Sequence, residues 1–345
     1  MSRPKGDKDR VTGNILQTSY CRGDYVPVGF GYLFIETPVG RKITNSEGCY
    51  CAKGVNQVKA SLHGLYSQVR NRRKECSKLS QIKYIGPPTF NWNNYLLIGC
   101  FQNSGDFRDL MAYYHVTLAR QLFGSLLTEG LIKALDIESW LPEMEVIVDE
   151  VGPWANNACW CLTQHQIRFG ESVSFVLDST VTFHEYAHAI IDLITGEPFF
   201  PRRSYNSKLS EIEQLAATTS EGYADYLACS LKNHPVVLEC TSFARYLDKP
   251  VKFDPAKPRD IYQDSLSLST GLWTLREELK KTQPQTQVVD KLVVQSLLDL
   301  RALPGKIRKF GLTDAALAAI KADNDINAGV NIAIIEEIFK QRGIL

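Results

Sequence analysis

The run His184-Glu185-Tyr186-Ala187-His188 sets two imidazoles four positions apart, so on a helix both face one side and can ligate one metal ion. Glu185 lies beside them, free to act on a water that the metal activates. A surface helix with two solvated histidines would have polar flanks. Here Val181, Phe183, Ala187, Ile190, Ile191 and Leu193 make the segment largely apolar, and a charged cluster buried there is costly unless paired or metal-bound. A catalytic zinc site needs a third protein ligand and an open position. Glu221, in Ser220-Glu221-Gly222-Tyr223-Ala224-Asp225-Tyr226, is the candidate. Asp225, one helical turn beyond it on the same face, is placed to accept the second ring N–H of a ligating histidine and fix its tautomer. Two acids at this spacing repel on an ordinary surface helix, and the pair makes sense when zinc and an imidazole separate their charges.

The elements that must position these residues follow from periodicity. Residues 1–15 are polar and charged and are expected to form a flexible tail. A β-rich N-terminal region over 16–100 is read from short runs at Val26–Ile35, Val55–Leu65, Lys83–Ile85 and Tyr95–Ile98, separated by turn signals such as Gly86-Pro87-Pro88. Leu110, Tyr114, Leu118 and Leu122 then recur at helical spacing, predicting a helix over 106–127. Strands are expected at Glu145–Asp149 and Ile167–Val176, and helices at Val181–Thr195 and Ile212–Leu231. Four more helices, Ser267–Lys281, Lys291–Leu303, Asp314–Ala322 and Asn331–Arg342, make the C-terminal half helical. The expected fold class is therefore α+β. A catalytic α/β lobe with the zinc helix would span 101–196, and a helical C-terminal lobe 197–345.

Composition excludes several classes. With 345 residues, 44% hydrophobic and 22% charged, the chain has globular usage, not that of a disordered or collagen-like protein. Its 39 basic and 38 acidic residues cancel to a formal charge of +1, so no global field draws it to nucleic acid. No stretch approaches the roughly 20 consecutive apolar residues of a membrane span. Nine cysteines, an odd number, fit neither a disulfide framework nor paired zinc knuckles and are read as reduced thiols. The Cys-x-Cys pairs at 49/51 and 159/161 have no assigned role. The basic runs Arg70-Asn71-Arg72-Arg73-Lys74 and Lys306–Lys309 read as solvated, and His63, His115, His165 and His234 lack metal-ligand spacing to one another.

His-Glu-Tyr-Ala-His followed by Glu-Gly-Tyr-Ala-Asp resembles the thermolysin-type gluzincin metallopeptidases, most of all the fungalysin-like group. Met111-Ala112-Tyr113-Tyr114-His115 is similar to a helix of that family. The closing segment around Ile335-Glu336-Glu337-Ile338-Phe339 is similar to its last helix. Asn157-Ala158-Cys159-Trp160, with Ile167-Arg168-Phe169-Gly170 after it, resembles the edge strand along which these enzymes lay a substrate. The resemblance implies a two-lobed thermolysin-like core and a zinc-dependent endopeptidase acting on peptide or protein substrates. One catalytic zinc would be held by His184, His188 and Glu221, with Glu185 as general base and Asp225 orienting a ligand. Asn157 and the backbone of Ala158 would hold the substrate main chain. A structural calcium ion beside the zinc stays open, with no motif to support it.

One departure bears on catalysis. The family carries an oxyanion-stabilising histidine before a Leu-Trp pair, and counting back from Leu272-Trp273 puts Tyr262 at that place. A phenol can also donate a hydrogen bond to an oxyanion. The other readings are that the count is off by a few residues or that the site has lost a donor, a loss that typically costs roughly 10²–10³ in rate. The alternative function is accordingly a degenerate peptidase fold that binds peptide or protein partners without cutting. The N-terminus lacks an apolar signal core, so the expectation is a cytoplasmic protein, or a secreted one if the chain is a processed or truncated form. Nothing in the sequence bears on oligomeric state.

Overall fold

The computed structural model describes residues 8–16, 25–72, 81–95, 105–128, 143–172, 175–196, 199, 209–239, 241–257, 260–284, 287–301 and 309–345. The chain is α+β, with a β-rich N-terminal region and a helical C-terminal part. It divides into two compact units, 1–121 with 142–182, and 122–141 with 183–345. No described helix is long and apolar enough to cross a membrane.

The first unit opens with strand β1 (Asp9–Leu16), which corrects the expected flexible tail over 1–15; residues 1–7 lie outside the described residues. Val11 and Ile15 are buried while Arg10 points outward, a period of two that the neighbouring charges obscure. Asp9 is itself buried and satisfied, accepting from Ala52 N–H at 3.0 Å and Thr89 Oγ1 at 3.3 Å. β1 pairs antiparallel with β2 (Tyr25–Gly29) and β5 (Cys49–Tyr50), and parallel with β9 (Phe90–Asn91). The expected run at 26–35 breaks after Gly29 into β2 and β3 (Leu33–Thr37), because Tyr32 turns with a φ of 57°. The run expected at 95–98 is not a strand at Tyr95, which ends the helical turn α1 (Trp92–Tyr95); residues 96–98 lie outside the described residues.

A second sheet runs β11 (Ala158–Cys161), β12 (Gln166–Gly170), β10 (Met144–Glu150), β7 (Ser67–Asn71), β6 (Val58–Gly64), β3 and β4 (Gly40–Ile43), with β8 (Lys83–Gly86) also on β6. β10 is almost wholly buried and pairs parallel with both β7 and β12, as a strand covered on both faces does. The regions expected as separate at 16–100 and 101–196 therefore share one sheet. Helix α2 (Gly105–Thr128) lies along it, with Asp109 accepting from Asn71 at 2.7 Å and Thr117 meeting Ser67 at 3.3 Å. Eight helical residues rise about 12 Å and four strand residues about 13 Å, so α2 runs antiparallel to β7 and in step with it. β12 ends at Gly170, short of the expected Val176, because that glycine packs its backbone against the Trp154 and Ala155 carbonyls; Phe175–Leu177 is a 3₁₀ turn. In the first basic run Arg70 pairs with Glu145 at 3.1 Å and Arg72 with Glu150 at 2.8 Å, while Arg73 and Lys74 lie outside the described residues.

The second unit is built on helices. α3 (Ser179–Thr195), which belongs to this unit from Phe183 onward, starts on Asp178, whose carboxylate accepts from Thr180 N–H at 2.9 Å, and ends at Gly196 with a φ of 74°. α4 (Glu211–Lys232) opens with a Ser210–Glu213 capping box and closes on left-handed Asn233. α5 (Ile261–Thr282) begins six residues before the expected Ser267, because Asp260 caps it through Tyr262 and Gln263 N–H. α4 and α5 touch closely at Gly222, where a Cβ would meet Leu268 Cβ and Ser265 O at 3.0 Å. α6 (Val288–Arg301) joins through Tyr226 O–H donating to Asp290 at 2.7 Å, and α7 (Leu312–Asn327) and α8 (Ile332–Gln341) complete the unit. Residues 302 and 303 of the helix expected at Lys291–Leu303, and 306–308 of the second basic run, lie outside the described residues.

Candidate metal centre

The second unit holds the whole histidine–carboxylate cluster. His184, Glu185 and His188 project from α3, and Glu221 and Asp225 from α4; all five are buried. His184 Nε2 lies 3.1 Å from His188 Nε2 and 3.2 Å from Glu221 Oε2, and His188 Nε2 is 3.5 Å from Glu221 Oε1. Ligands about 2.0–2.1 Å from a tetrahedral zinc stand about 3.3 Å apart, and these separations are of that size, although Glu221 turns Oε2 to His184 and Oε1 to His188. No cysteine belongs to the cluster, the one group of three possible ligands among the described residues.

Charge supports the same fit. The Glu221 and Asp225 carboxylates are buried, Asp225 against the guanidinium of Arg245, and Glu221 faces two imidazole nitrogens, a set whose negative charge suits a divalent cation. Each histidine is also held by its other nitrogen. Asp225 Oδ1 lies 2.8 Å from His184 Nδ1, and Ser220 Oγ lies 3.0 Å from His188 Nδ1. Those partners fix the ring orientations and leave both Nε2 atoms for the shared ion.

Arg245 and Ser220 are functional neighbours that sequence reasoning missed. Arg245 grips Asp225 bidentately, Nε to Oδ2 at 2.7 Å and Nη2 to Oδ1 at 2.6 Å, from the short strand β14 (Arg245–Tyr246) paired with β13 (Val236–Val237). No spacing rule joins it to α4, although an acid at 0% exposure requires a cation. Ser220 carried a weak signal, being the residue before Glu221. Tyr262 sits in the first turn of α5, 45% exposed, its ring 5.6 Å from the Arg245 guanidinium. It is thus linked to the centre through Arg245 and Asp225.

Asn157 and Ala158 belong to the other unit, at the start of edge strand β11. Gly170 N–H donates to Asn157 O at 2.8 Å, so that carbonyl is used within the sheet. Antiparallel alternation then makes Cys159/Arg168 and Cys161/Gln166 hydrogen-bonded pairs and turns the N–H and C=O groups of Ala158 and Trp160 to the open edge.

Electrostatics set the metal-free protonation state. Burial works against a charged His184, but the Asp225 and Glu221 carboxylates outweigh it and its pKa is pushed up to about 10. Burial likewise opposes charge on the two acids. His188 and His184 nevertheless hold Glu221 well below the carboxylate range, and Arg245 and His184 lower Asp225. The metal-free centre is an imidazolium bridging two carboxylates. Because the folded pKa lies above the unfolded 6.5, this bridge stabilises the metal-free fold below pH 6.5 and is lost as pH rises through about 10. A metal at Nε2 must displace that proton. Between roughly pH 7 and 9, metal uptake is expected to release about one proton, the apparent affinity rising about tenfold per pH unit. Competition against a chromophoric chelator across that range checks this, and a flat profile contradicts the bridged imidazolium.

Compared with known proteins, the chain matches no family model and no curated protein.

Proposed function

We propose that this chain is a zinc-dependent endopeptidase with the thermolysin-like core that its motifs imply. The observation that carries the reading is the His184–His188–Glu221 cluster, its nitrogen and oxygen atoms 3.1, 3.2 and 3.5 Å apart, with Glu185 between the two histidines on the same buried helix. Zinc held there supplies Lewis acidity, lowering the pKa of a water towards about 7 and polarising a carbonyl.

The chain's own groups do the rest. Glu185 takes the proton of the attacking water and delivers it to the departing amine, a positioned general base and then acid. Asp225 keeps His184 in the tautomer with Nδ1–H, and Ser220 orients His188 in the same way. Arg245 holds Asp225 ionised and in place. Tyr262 donates its phenolic hydrogen to the developing oxyanion, in the role usually filled by histidine. The outward N–H and C=O of Ala158 pair with an extended substrate added to β11, and Asn157 contributes through its side-chain amide.

Cleavage of a mixed library of internally quenched peptides tests the reading. The zinc-loaded chain is expected to cleave, to stop when a chelator removes the metal, and to recover when zinc returns. A folded, zinc-loaded chain that cleaves nothing sinks it and favours the second reading, a peptide-binding protein on the same scaffold. What supports that reading is Tyr262, exposed and beside Arg245 where the related enzymes carry a histidine.

A further inference from the structure

The Cys-x-Cys pair on β11 lies in the first unit and takes no part in the metal centre. Cys159 and Cys161 are not joined in a disulfide; both are partly exposed, with their sulfurs 3.4 Å apart. Their register partners are Arg168 and Gln166, so these four side chains share one sheet face. The opposite face carries Ile167 and Phe169, both fully buried. The thiols therefore open on the solvent side of the sheet, at its edge, beside a cation. Arg168 is anchored there by its bonds to Gln166 Oε1 at 2.7 and 3.1 Å.

We propose that Cys159 and Cys161 are a redox-active dithiol, which a hydroperoxide closes to an intrastrand disulfide that bends edge strand β11. The thiolate of Cys159 attacks the peroxide; the O–O bond breaks and leaves a sulfenic acid and hydroxide. The Cys161 thiolate attacks that sulfur, the S–O bond breaks and the disulfide forms. With hydrogen peroxide the sum is two thiols and one peroxide giving one disulfide and two waters, the thiols losing the two electrons that the peroxide gains. The sulfurs must close from 3.4 Å to about 2.0 Å. Alternate residues of an extended strand have Cα atoms about 6.6–6.8 Å apart, at the upper limit for a disulfide, so closure draws the two Cα atoms together. Among the described residues β11 is bonded to a strand on one side alone, so only its ladder to β12 resists. The bend displaces Trp160, whose main chain faces the open edge between the two cysteines. Strain of this kind makes a disulfide easy to reduce, which suits a reversible modification.

The test uses the full, zinc-loaded chain, reduced, treated with a small excess of hydrogen peroxide, alkylated with N-ethylmaleimide and digested for mass spectrometry. The peptide containing both cysteines is expected to lose the mass of two hydrogens, to take no label, and to take two labels after dithiothreitol. In the Cys161→Ser chain the disulfide is lost and dimedone marks Cys159 as the sulfenic acid. Amide exchange across β11 should be faster in the oxidised chain than in the reduced one. Full labelling of both thiols after peroxide, a disulfide from either to a different cysteine, or unchanged exchange along β11 would each overturn the proposal. Peptide cleavage does not enter these readouts, so they stand or fall apart from the proposed activity.

Discussion

Glu185→Gln is expected to lower kcat/KM for peptide cleavage by about 10²–10⁴-fold, the range that a general base contributes. The substitution keeps size and hydrogen-bonding shape, and it removes only the ability to take a proton. Glu185 is not one of the three possible ligands that stand together, so metal stoichiometry should stay at the wild-type value. The loss should fall on kcat, since the proton moves in the transition state and not in substrate binding. Metal content by atomic absorption, measured beside the kinetics, separates this outcome from simple loss of zinc. Wild-type turnover in the Gln variant removes Glu185 from the mechanism.

The second large effect concerns Arg245. Asp225 has no exposed surface, and both of its oxygens accept from this one guanidinium, at 2.7 and 2.6 Å. Arg245→Met leaves that carboxylate buried beside a single histidine, and breaking a buried pair in this way typically costs about 3–5 kcal/mol. His184 loses a well-oriented partner at the same time, for which zinc affinity should fall about 10–100-fold. The sign with pH follows from Asp225, whose folded pKa is depressed by Arg245 and His184 against burial. Its contribution is present above the unfolded value and is lost as pH falls through the folded one. In urea unfolding the gap between wild type and Arg245→Met should therefore be widest near neutrality and close in acid. Asp225→Ala combined with Arg245→Met should recover part of the loss, because no charge is then stranded. Equal urea midpoints for the wild type and the single variant contradict this account.

Local periodicity accounts for how much could be read in advance. The metal-bearing helix was legible because its caps and apolar flanks lie within the segment: expected over 181–195, it spans Ser179–Thr195. α4 and α2 were legible for the same reason, each within two residues of expectation. β1 was not, because Asp9 and Arg10 make its start look like solvent-facing chain. Their charges meet Ala52 N–H, Thr89 Oγ1 and the Glu47 carbonyl, far along the sequence. The shared sheet was hidden in the same way, since parallel pairing of β7 with β10 joins segments separated by helix α2.

The sequence by itself determined the type and order of the helices, the presence of His184, Glu185 and His188 on one of them, and an acidic pair one turn apart on the next. Tertiary structure alone decided that Glu221 faces both imidazoles at metal-ligand spacing, that Arg245 and Ser220 brace the cluster, and that two thiols of an edge strand stand 3.4 Å apart. Helical periodicity is written in neighbouring residues and survives in any context. Which oxygen meets which nitrogen depends on how separate segments pack, and here on the close approach of α5 that Gly222 permits, a contact that no local pattern encodes.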